Sequence, residues 1–547
     1  MALTKVSYSM ITGAPANVLD YGADPTGVTS SSSAIQNAVN ASSAVYFPPG
    51  TYLISTAITL NSNNTLFGNG KLKRNDAGYL LTATAGSNIS ISGLQFEGLK
   101  QNYAIHVTAF DGVSITNCEC FEIGLLFTDN STATYAGATA NNSVKNIVVA
   151  NNRGTCTTTP SSSSQFIRLL YGIDFAITGN EATGYYDGLL MWGGDANGDG
   201  ASANQRKCYN GSVSGNTFNV LSAGIWTGMA QNVTISGNTV TSTAASAAEG
   251  LDAEGSINIT FDGNIVSGFD IAFGLFFLNR DITFSNNQAT VKSGGLALYN
   301  SNTSYTGDYA YIGLVCLTGN TIRAYPGETA DLNWGAIGEL VCTNNYFKDC
   351  IGRSLTSSRT FIDGNTFVFE YTPTPTECFR LAALVNGIGI TANAFPSNTF
   401  TNNQLKWVGS GVLTKRGLLL GSADSVASSF MVSDNRFERI QSATTFYGTT
   451  TTYAGVMKQN TFGDLVAYPF DCPGATTYFT MLWVDNFNAA GQDAIGSTAN
   501  ITAQDNVWYL SLGSRIWNNA PTSGGAPGWV CTTAGKTPTF KAMANLA

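Results

Sequence analysis

The chain has 547 residues with a net charge of −9, and 43% of them are hydrophobic while only 11% are charged. This charged fraction is far below the roughly 25% of a typical globular protein, but the apolar content is ample for a core, so disorder is not predicted. The acidic balance disfavours nucleic acid as a partner, because a negative surface repels phosphates. No run of 18 apolar residues and no signal-peptide pattern occurs, so neither a membrane span nor a leader is predicted.

A short helix followed by the first strands is predicted near the start of the chain. Ser30–Ser33 can cap this helix. Its apolar side carries Ala34, Ile35, Ala38 and Val39. A helix in this place can cover the unpaired edge of the sheet that follows, which would otherwise invite aggregation.

From residue 176 onward one pattern recurs, in which β-branched or aromatic residues alternate, a small or polar pair follows, and asparagine ends the unit. Examples are AITGN (176–180), VTISGN (233–238) and ITFDGN (259–264). Uninterrupted asparagines lie 20 to 26 residues apart, as from 345 to 365 and from 238 to 264. This period lacks a helical apolar stripe and the spacing of leucine-rich repeats. It predicts a parallel β-helix, in which each coil buries alternate Val, Ile and Phe.

The recurring asparagine is predicted to be structural and to occupy a corner of each coil. Asparagine tolerates left-handed backbone geometry, and its amide can bond the equivalent amide of the next coil. The N-x-S/T sequences at Asn232 and Asn258 belong to this repeat and do not indicate glycosylation.

Two segments make the prediction more specific. The sequence NVLDYGADPTG…AIQNAV…VYFPPGTYLI resembles the opening of the pectate-lyase-like β-helix of bacteriophage tailspikes. The segment 515–547 resembles a short C-terminal module of such spikes. The resemblance implies an all-β, right-handed, single-stranded parallel β-helix in a homotrimer on the virion tail. It also implies that the protein binds, and usually cleaves, a bacterial surface polysaccharide, either capsule or lipopolysaccharide.

The same resemblance divides the chain into four parts. Attachment to the phage tail or baseplate is expected through a missing N-terminal region, absent by truncation or because the protein is a branch spike. The parts are 1–15, a neck remnant of that region; 16–60, the cap and first strands; 61–507, a catalytic β-helix with loop insertions; and 508–547, a C-terminal module.

An alignment of turn glycines predicts which side chains share a face. The aligned glycines are Gly188, Gly224, Gly250, Gly274 and Gly295. Because side chains alternate along a strand, the residues that follow form one inward row and two outward rows. The inward row is Leu189, Ile225, Leu251, Leu275 and Leu296. The outward rows are Leu190, Trp226, Asp252, Phe276 and Ala297, then Trp192, Gly228, Glu254, Leu278 and Tyr299.

Carboxylates and aromatic rings therefore meet on one predicted face. Glycoside hydrolysis needs one carboxylic acid to protonate the leaving oxygen and a second carboxylate to activate water or attack. We assign Glu254 as the acid and Asp252 as the base, with Glu249 in support and Asp187 as the next candidate. Crowding should raise the pKa of at least one of these carboxyls. The predicted substrate-binding residues are Trp226, Trp192, Phe276, Tyr299 and Arg280, with Gly228 opening a gap beside Glu254.

No metal or cofactor is predicted. The ten cysteines form no zinc-binding pattern with the single histidine, His106, and are expected to be buried thiols. Asp195, Asn197 and Asp199 begin like a calcium loop, but Arg206 stands where a bidentate glutamate is required. An Asx-rich turn is the simpler interpretation.

Three functions and one purely structural interpretation follow from this face. The first function is an endo-glycosidase that depolymerises the polysaccharide. The second is a polysaccharide lyase, which the scarcity of cations in residues 186–300 disfavours. The third is a glycan-binding adhesin without catalysis. In the structural interpretation the acids are simply solvated and the aromatics form the trimer interface.

Overall fold

The computed structural model describes a series of ranges along the chain. They are 14–99, 103–128, 144–160, 164–193, 208–276, 279–292, 296–301, 312–333, 337–354, 359–371, 377–381, 397–410, 413–420, 428–446, 452–463, 468–471, 478–484, 486–488, 515–517, 523–533 and 539–545. The chain forms two compact units, 1–282 and 283–547.

The first unit consists of short strands, one α-helix and one 3-10 helix. Its helices are α1 (Ser32–Ala41) and η1 (Val18–Tyr21). Its strands are β1 (Ala16–Asn17), β2 (Thr26–Ser30), β3 (Ala44–Leu53), β4 (Ile58–Leu60), β5 (Thr65–Lys73), β6 (Leu81–Ser92), β7 (Gln95–Glu97), β8 (Tyr103–Thr116), β9 (Glu119–Phe121), β10 (Gly124–Thr128), β11 (Lys145–Ala150), β12 (Arg153–Thr155), β13 (Gln165–Leu170), β14 (Ile173–Thr178), β15 (Glu181–Thr183), β16 (Asp187–Trp192), β17 (Cys208–Ser214), β18 (Thr217–Asn219), β19 (Ile225–Gly228), β20 (Ala230–Ser236), β21 (Thr239–Thr241), β22 (Glu249–Glu254), β23 (Ile257–Asp262), β24 (Ile265–Ser267) and β25 (Ile271–Phe276).

The second unit repeats the pattern, and strand β26 contains the boundary between the units. The strands are β26 (Arg280–Ser285), β27 (Gln288–Val291), β28 (Leu296–Ser301), β29 (Ile312–Thr318), β30 (Thr321–Ala324), β31 (Ala330–Asn333), β32 (Ile337–Thr343), β33 (Tyr346–Lys348), β34 (Cys350–Ser354), β35 (Arg359–Asp363), β36 (Thr366–Phe369), β37 (Glu377–Leu381), β38 (Ser397–Thr401), β39 (Gln404–Trp407), β40 (Leu413–Leu420), β41 (Ser428–Ser433), β42 (Arg436–Glu438), β43 (Ile440–Phe446), β44 (Thr452–Lys458), β45 (Thr461–Phe462), β46 (Tyr468–Asp471), β47 (Tyr478–Val484), β48 (Phe487–Asn488), β49 (Arg515–Trp517), β50 (Gly528–Thr533) and β51 (Thr539–Ala542).

From β9 onward, the strands of the stack pair in parallel with the strand three positions along, which produces three sheets, whereas earlier strands such as β4 and β6 pair two positions along. In the first unit, sheet A contains β10, β13, β16, β19, β22 and β25. Sheet B contains β11, β14, β17, β20 and β23, and sheet C contains β9, β12, β15, β18, β21 and β24. One strand from each sheet makes a coil, so the predicted all-β class and parallel β-helix are confirmed.

Helix α1 packs on the first strands of this stack, as predicted. It contacts β1, β3 and β4 and buries Ile35, Ala38 and Val39. Its N-cap residue is Ser31, but the Ser31 hydroxyl accepts a hydrogen bond from Asp24 N at 2.9 Å instead of capping the helix. The described part of the chain has no helix with the length and apolarity needed to cross a bilayer.

The corner between sheets B and C carries the predicted asparagine ladder. Asn238 Oδ1 accepts from Asn216 N at 3.0 Å and from Asn216 Nδ2 at 2.9 Å. Asn238 in turn donates from N and Nδ2 to Asn264 Oδ1, both at 2.9 Å. The asparagines that repeat this contact in the first unit are Asn152, Asn180, Asn216, Asn238 and Asn264.

The expectation of left-handed geometry at the ladder asparagine was wrong by one residue. The left-handed residue is the one before it, as at Gly237 and Gly263, both with φ of 62°. Glycine accommodates this geometry without a steric penalty, which explains the recurring Gly-Asn pair. The N-x-S/T residues Asn232 and Asn258 do adopt it, and they form a second, exposed ladder at the start of sheet B.

The second unit has its own ladder and ends in a different sheet. Asn320 N and Nδ2 donate to Asn345 Oδ1 at 2.9 Å, and the contact continues through Asn365. Near the end of the chain, β49, β50 and β51 form a three-stranded antiparallel sheet. Among the described cysteines, Cys316 is half-buried and the others are buried.

Candidate functional site

Strand β22 of sheet A carries the three clustered acids. Leu251 and Ala253 are fully buried in the core, so Asp252 and Glu254 lie on the outward face, as predicted. Glu249 and Glu254 are half-buried, but Asp252 is only 2% exposed. The expectation that Asp252 faces solvent beside Glu254 was therefore wrong.

The predicted alignment of coils is correct on the N-terminal side of β22. Asp252 pairs with Trp226, and Glu254 pairs with Gly228. Trp226 in turn pairs with Leu190 of β16. The outward row that ends at Asp252 therefore has the predicted order.

On the C-terminal side the alignment was wrong by two residues. Asp252 pairs with Gly274 and Glu254 pairs with Phe276, where Phe276 had been expected beside Asp252. The turn position faces inward, since a Cβ on Gly250 would lie 2.2 Å from Val266 Cγ1. In the next coil the residue opposite Gly250 is Ala272, which is also buried. Gly274, which the sequence alignment had placed opposite Gly250, is therefore not the equivalent residue.

Gly274 lets side chains pack closely against the strand beside the acids. A Cβ on Gly274 would lie 3.2 Å from both Asp252 Oδ1 and Glu249 Cγ, and 2.7 Å from Phe276 Cε2. Two acids and one aromatic ring thus fill the space that a side chain at this position would occupy. Asp252 Oδ1 is buried there without a hydrogen-bond partner.

Two indole rings lie on the other side of the acids. The rings of Trp192 and Trp226 are 5.8 Å apart and nearly perpendicular. The predicted gap at Gly228 is absent, because the Trp192 ring occupies it: a Cβ on Gly228 would lie 2.1 Å from Trp192 Cε3. The half-buried rings and Phe276 flank the acid cluster along the coil axis.

The environment shifts the pKa of all three acids upward. Burial raises the pKa of Glu249 to about 7, with further contributions from the charges of Asp187 and Asp270. Burial also raises the pKa of Glu254 to about 7, against the opposing effect of the Trp226 N–H. The pKa of Asp252 lies well above its usual range because of burial, the charges of Glu254 and Glu249, and hydrogen-bonding contact with Glu254. Near neutral pH the cluster therefore retains protons.

Asp187 is near these acids but has a structural environment. It is 1% exposed; its Oδ2 accepts from Gln165 Nε2 and its Oδ1 from Ala223 N, each at 3.0 Å. Tyr103 Oη continues the chain by donating to Gln165 Oε1 at 2.6 Å. Burial raises the pKa of Asp187 above its ordinary value.

Three other predicted features stand apart from the cluster. Arg280 is exposed at the start of β26, just after the corner that follows sheet A. Tyr299 lies in β28 of the second unit, and its side chain is outside the described part of the chain. The segment 194–207, with the calcium-like motif at Asp195, Asn197 and Asp199, is also outside the described residues.

The sequence alignment missed the preceding coil. Gln165 pairs with Asp187, and Arg168 pairs with Leu190, so QFIRLL (165–170) occupies the same face as DGLLMW (187–192). The shared apolar alternation was a usable signal, but no turn glycine marks this coil. Tyr103, Gln165 and Arg168 therefore join the face as residues that sequence reasoning did not identify.

The segment 16–252 matches the family model described as rhamnogalacturonase A/epimerase, pectate lyase-like. This match covers less than half of the chain. The matched segment ends inside β22, within the acid cluster, and the predicted resemblance to pectate-lyase-like proteins is confirmed. No curated protein matches the chain.

Several solved structures share this type of fold at low identity. The tailspike of E. coli bacteriophage HK620, a mutant in complex with a hexasaccharide, is 14% identical with a TM-score of 0.41, covering 68% of this chain and 81% of its own. The Pseudomonas phage phi297 tailspike gp61 is 11% identical with a TM-score of 0.40, covering 97% and 96%. PfbA, a surface adhesin of Streptococcus pneumoniae, is 12% identical with a TM-score of 0.34, covering 97% and 99%. Likenesses this distant carry no conclusion about function.

Proposed function

We propose that this protein binds a bacterial surface polysaccharide and hydrolyses its glycosidic bonds at the acid cluster of β22. The observation that carries the proposal is the pair of half-buried glutamates on strand β22, Glu249 and Glu254, each with a pKa of about 7. Aromatic faces next to carboxylates suit pyranose rings, because the ring stacks on the aromatic while acids bind the hydroxyls.

Glu254 is the proposed general acid. Its raised pKa keeps a proton available near neutrality, and this proton passes to the glycosidic oxygen as the bond to the anomeric carbon breaks. A general acid of this kind accelerates the reaction by about 10²- to 10⁴-fold.

Glu249 is the proposed second carboxylate, which activates water or attacks the anomeric carbon. Asp252 was the sequence candidate for this role, but burial and its raised pKa favour its protonated form. Asp252 is thus better suited to orient Glu254 and to hold a proton beside it.

The test is to incubate the protein with capsule and lipopolysaccharide from candidate hosts and to analyse fragment ends by NMR. New reducing ends, absent with Glu254→Gln, would support hydrolysis. Unsaturated uronate ends would instead identify a lyase. Tight binding of an unchanged polymer would identify an adhesin, and either of these results would overturn the proposal.

We further propose a homotrimer on the virion tail, attached to the tail or baseplate through a region preceding the β-helix. Support comes from the tailspike resemblance of residues 16–55 and 515–547. Light scattering of the purified protein should give three times the monomer mass. A monomeric mass would contradict the assembly and leave the proposed chemistry to be judged separately.

A further inference from the structure

Unpaired buried polar atoms are concentrated on one row of sheet A. Among the described residues, five buried side-chain polar atoms lack a hydrogen-bond partner. Three of them belong to a single outward row: Arg168 Nε, Asp252 Oδ1 and Trp226 Nε1, although the Trp226 N–H is near enough to Glu254 to lower its pKa. The row is continuous, because Arg168 pairs with Leu190, Leu190 with Trp226, and Trp226 with Asp252.

Such atoms are rare and costly in folded proteins. Most buried polar groups find a partner, and an unpaired one costs about 1–3 kcal/mol. Three on one row of one face mark a row whose polar atoms the chain alone does not satisfy. The row covers three coil steps of about 4.8 Å, or about 14 Å along the coil axis, so a ligand that lies along the whole row is longer than a single sugar ring.

The N-terminal end of this row is suited to an anion. Arg168 is the described residue of the row that carries a permanent positive charge, and its unpaired Nε is a donor. Its acidic neighbour Asp187 is already engaged, since both carboxyl oxygens accept hydrogen bonds from Gln165 and from the Ala223 backbone. The titratable groups that face the guanidinium are Tyr103 and Asp187, and its charge lowers the pKa of both against the effect of burial.

We propose that Arg168 forms an anion-binding subsite of the same groove, which holds a carboxylate-bearing sugar of an acidic polysaccharide three coils from Asp252. This inference rests on the proposed function and deepens it, because it names the class of polymer. Guanidinium binds carboxylate through charge-assisted, often bidentate hydrogen bonds, which lysine reproduces only as a point charge. The polymer then runs along the coil axis, with the acidic sugar at Arg168, the Trp226 N–H between, and the cleaved bond at Asp252 and Glu254.

The test measures binding separately from cleavage. Glu254→Gln protein is titrated with polygalacturonate, hyaluronan and polysialic acid, each compared with its carboxyl-reduced form. We expect at least one native polymer to bind about tenfold or more tightly than its reduced form. Arg168→Gln should abolish this preference, while Arg168→Lys should retain part of it.

The matched control is Arg153→Gln, which removes the same charge from an exposed position on sheet C. Arg153 forms an ion pair with Glu181 there. This variant should leave the preference unchanged. The inference is overturned if none of the native polymers is preferred, if Arg168→Gln keeps the preference, or if Arg153→Gln loses it equally. Cleavage without a charge preference would remove this subsite alone, whereas a charge preference without cleavage by the unmodified protein would remove only the hydrolytic proposal.

Discussion

At the scale of single residues, Glu254 should control the chemistry. Glu254→Gln keeps the shape of the side chain but cannot donate the proton, so we expect kcat to fall by about 10²- to 10⁴-fold. Because the acid must be protonated and its pKa is about 7, activity of the unmodified protein should decline above about pH 7. Reducing-end release measured from pH 5 to 9 checks both expectations.

The matched control for this change is Glu181→Gln. Glu181 is an exposed residue of sheet C, away from the acid cluster. This variant should retain full activity and the same pH profile. Undiminished cleavage by Glu254→Gln would remove Glu254 from the mechanism.

Gly274 gives a second prediction, in which activity changes without loss of the fold. Gly274→Ala introduces a methyl group 3.2 Å from Asp252 Oδ1 and Glu249 Cγ, so both acids must shift to accommodate it. The backbone of Gly274 is not left-handed, and the closest atom is the far edge of the Phe276 ring, so little strain is expected. Cleavage should fall by at least tenfold while the thermal midpoint stays within a few degrees.

Binding isotherms distinguish the two ways in which this prediction could fail. Unchanged affinity and turnover in Gly274→Ala would show that the packing of the acids against Gly274 does not matter for cleavage. A large fall in the thermal midpoint would show that the glycine is required for packing instead.

At the scale of elements, the asparagine ladder should make a measurable contribution to the stability of the folded protein. Asn238→Ala leaves the buried N–H groups of Asn216 without their acceptor, which should cost about 1–3 kcal/mol for each unpaired group. We therefore expect a clear fall in the thermal midpoint, measured by circular dichroism. Asn232→Gly is the control, since it removes an exposed ladder contact but keeps the left-handed backbone. An equal fall in the thermal midpoint of both variants would show that the buried ladder contributes no more to stability than the exposed one.

The ladder also shows what the sequence could and could not predict. The Gly-Asn period fixed the coil length, and the amide contacts follow from it. The sequence could not distinguish which member of the pair is left-handed, because both residue types tolerate that geometry. It also could not separate Ala272 from a turn glycine, since the site requires only a small side chain.

At the scale of the whole molecule, the raised pKa values predict an unusual dependence of stability on pH. An acid whose pKa rises on folding stabilises the folded state below its ordinary pKa and loses this contribution as pH rises through the folded value. Glu249 and Glu254 shift from 4.5 to about 7, which amounts to about 3 kcal/mol for a single group. We expect the thermal midpoint to fall between about pH 4.5 and 7.

The comparison protein is the double variant Glu249→Gln/Glu254→Gln, in which this dependence should be weaker. It should gain stability relative to the unmodified protein at pH 8 but not at pH 5. Parallel pH curves for the two proteins would mean that the acids are more solvated than their burial implies. Below pH 4 a separate loss is expected in both, because hydrogen bonds hold the pKa of Glu122 at about 2.

The face of sheet A shows why the site was only partly predictable from sequence. Three acids in six residues marked β22, and alternation placed Glu254 outward. The depth of Asp252 depends on how Trp192 covers Gly228 and how Phe276 borders Gly274, which are contacts between coils. Arg168 was missed for the same reason, since its coil has no glycine to align and its role depends on side chains from β8 and β16.

The direction of the buried asparagine contacts makes the two ends of the ladder unequal. Asparagines of this ladder donate from N and Nδ2 to the Oδ1 of the coil that follows, as Asn216 does to Asn238. Deleting coils from the C-terminal side would strip two enclosed donors of this acceptor, whereas deleting them from the N-terminal side would free an oxygen that water can reach. Shortened versions of the protein should therefore tolerate loss from the front far better than loss from the back.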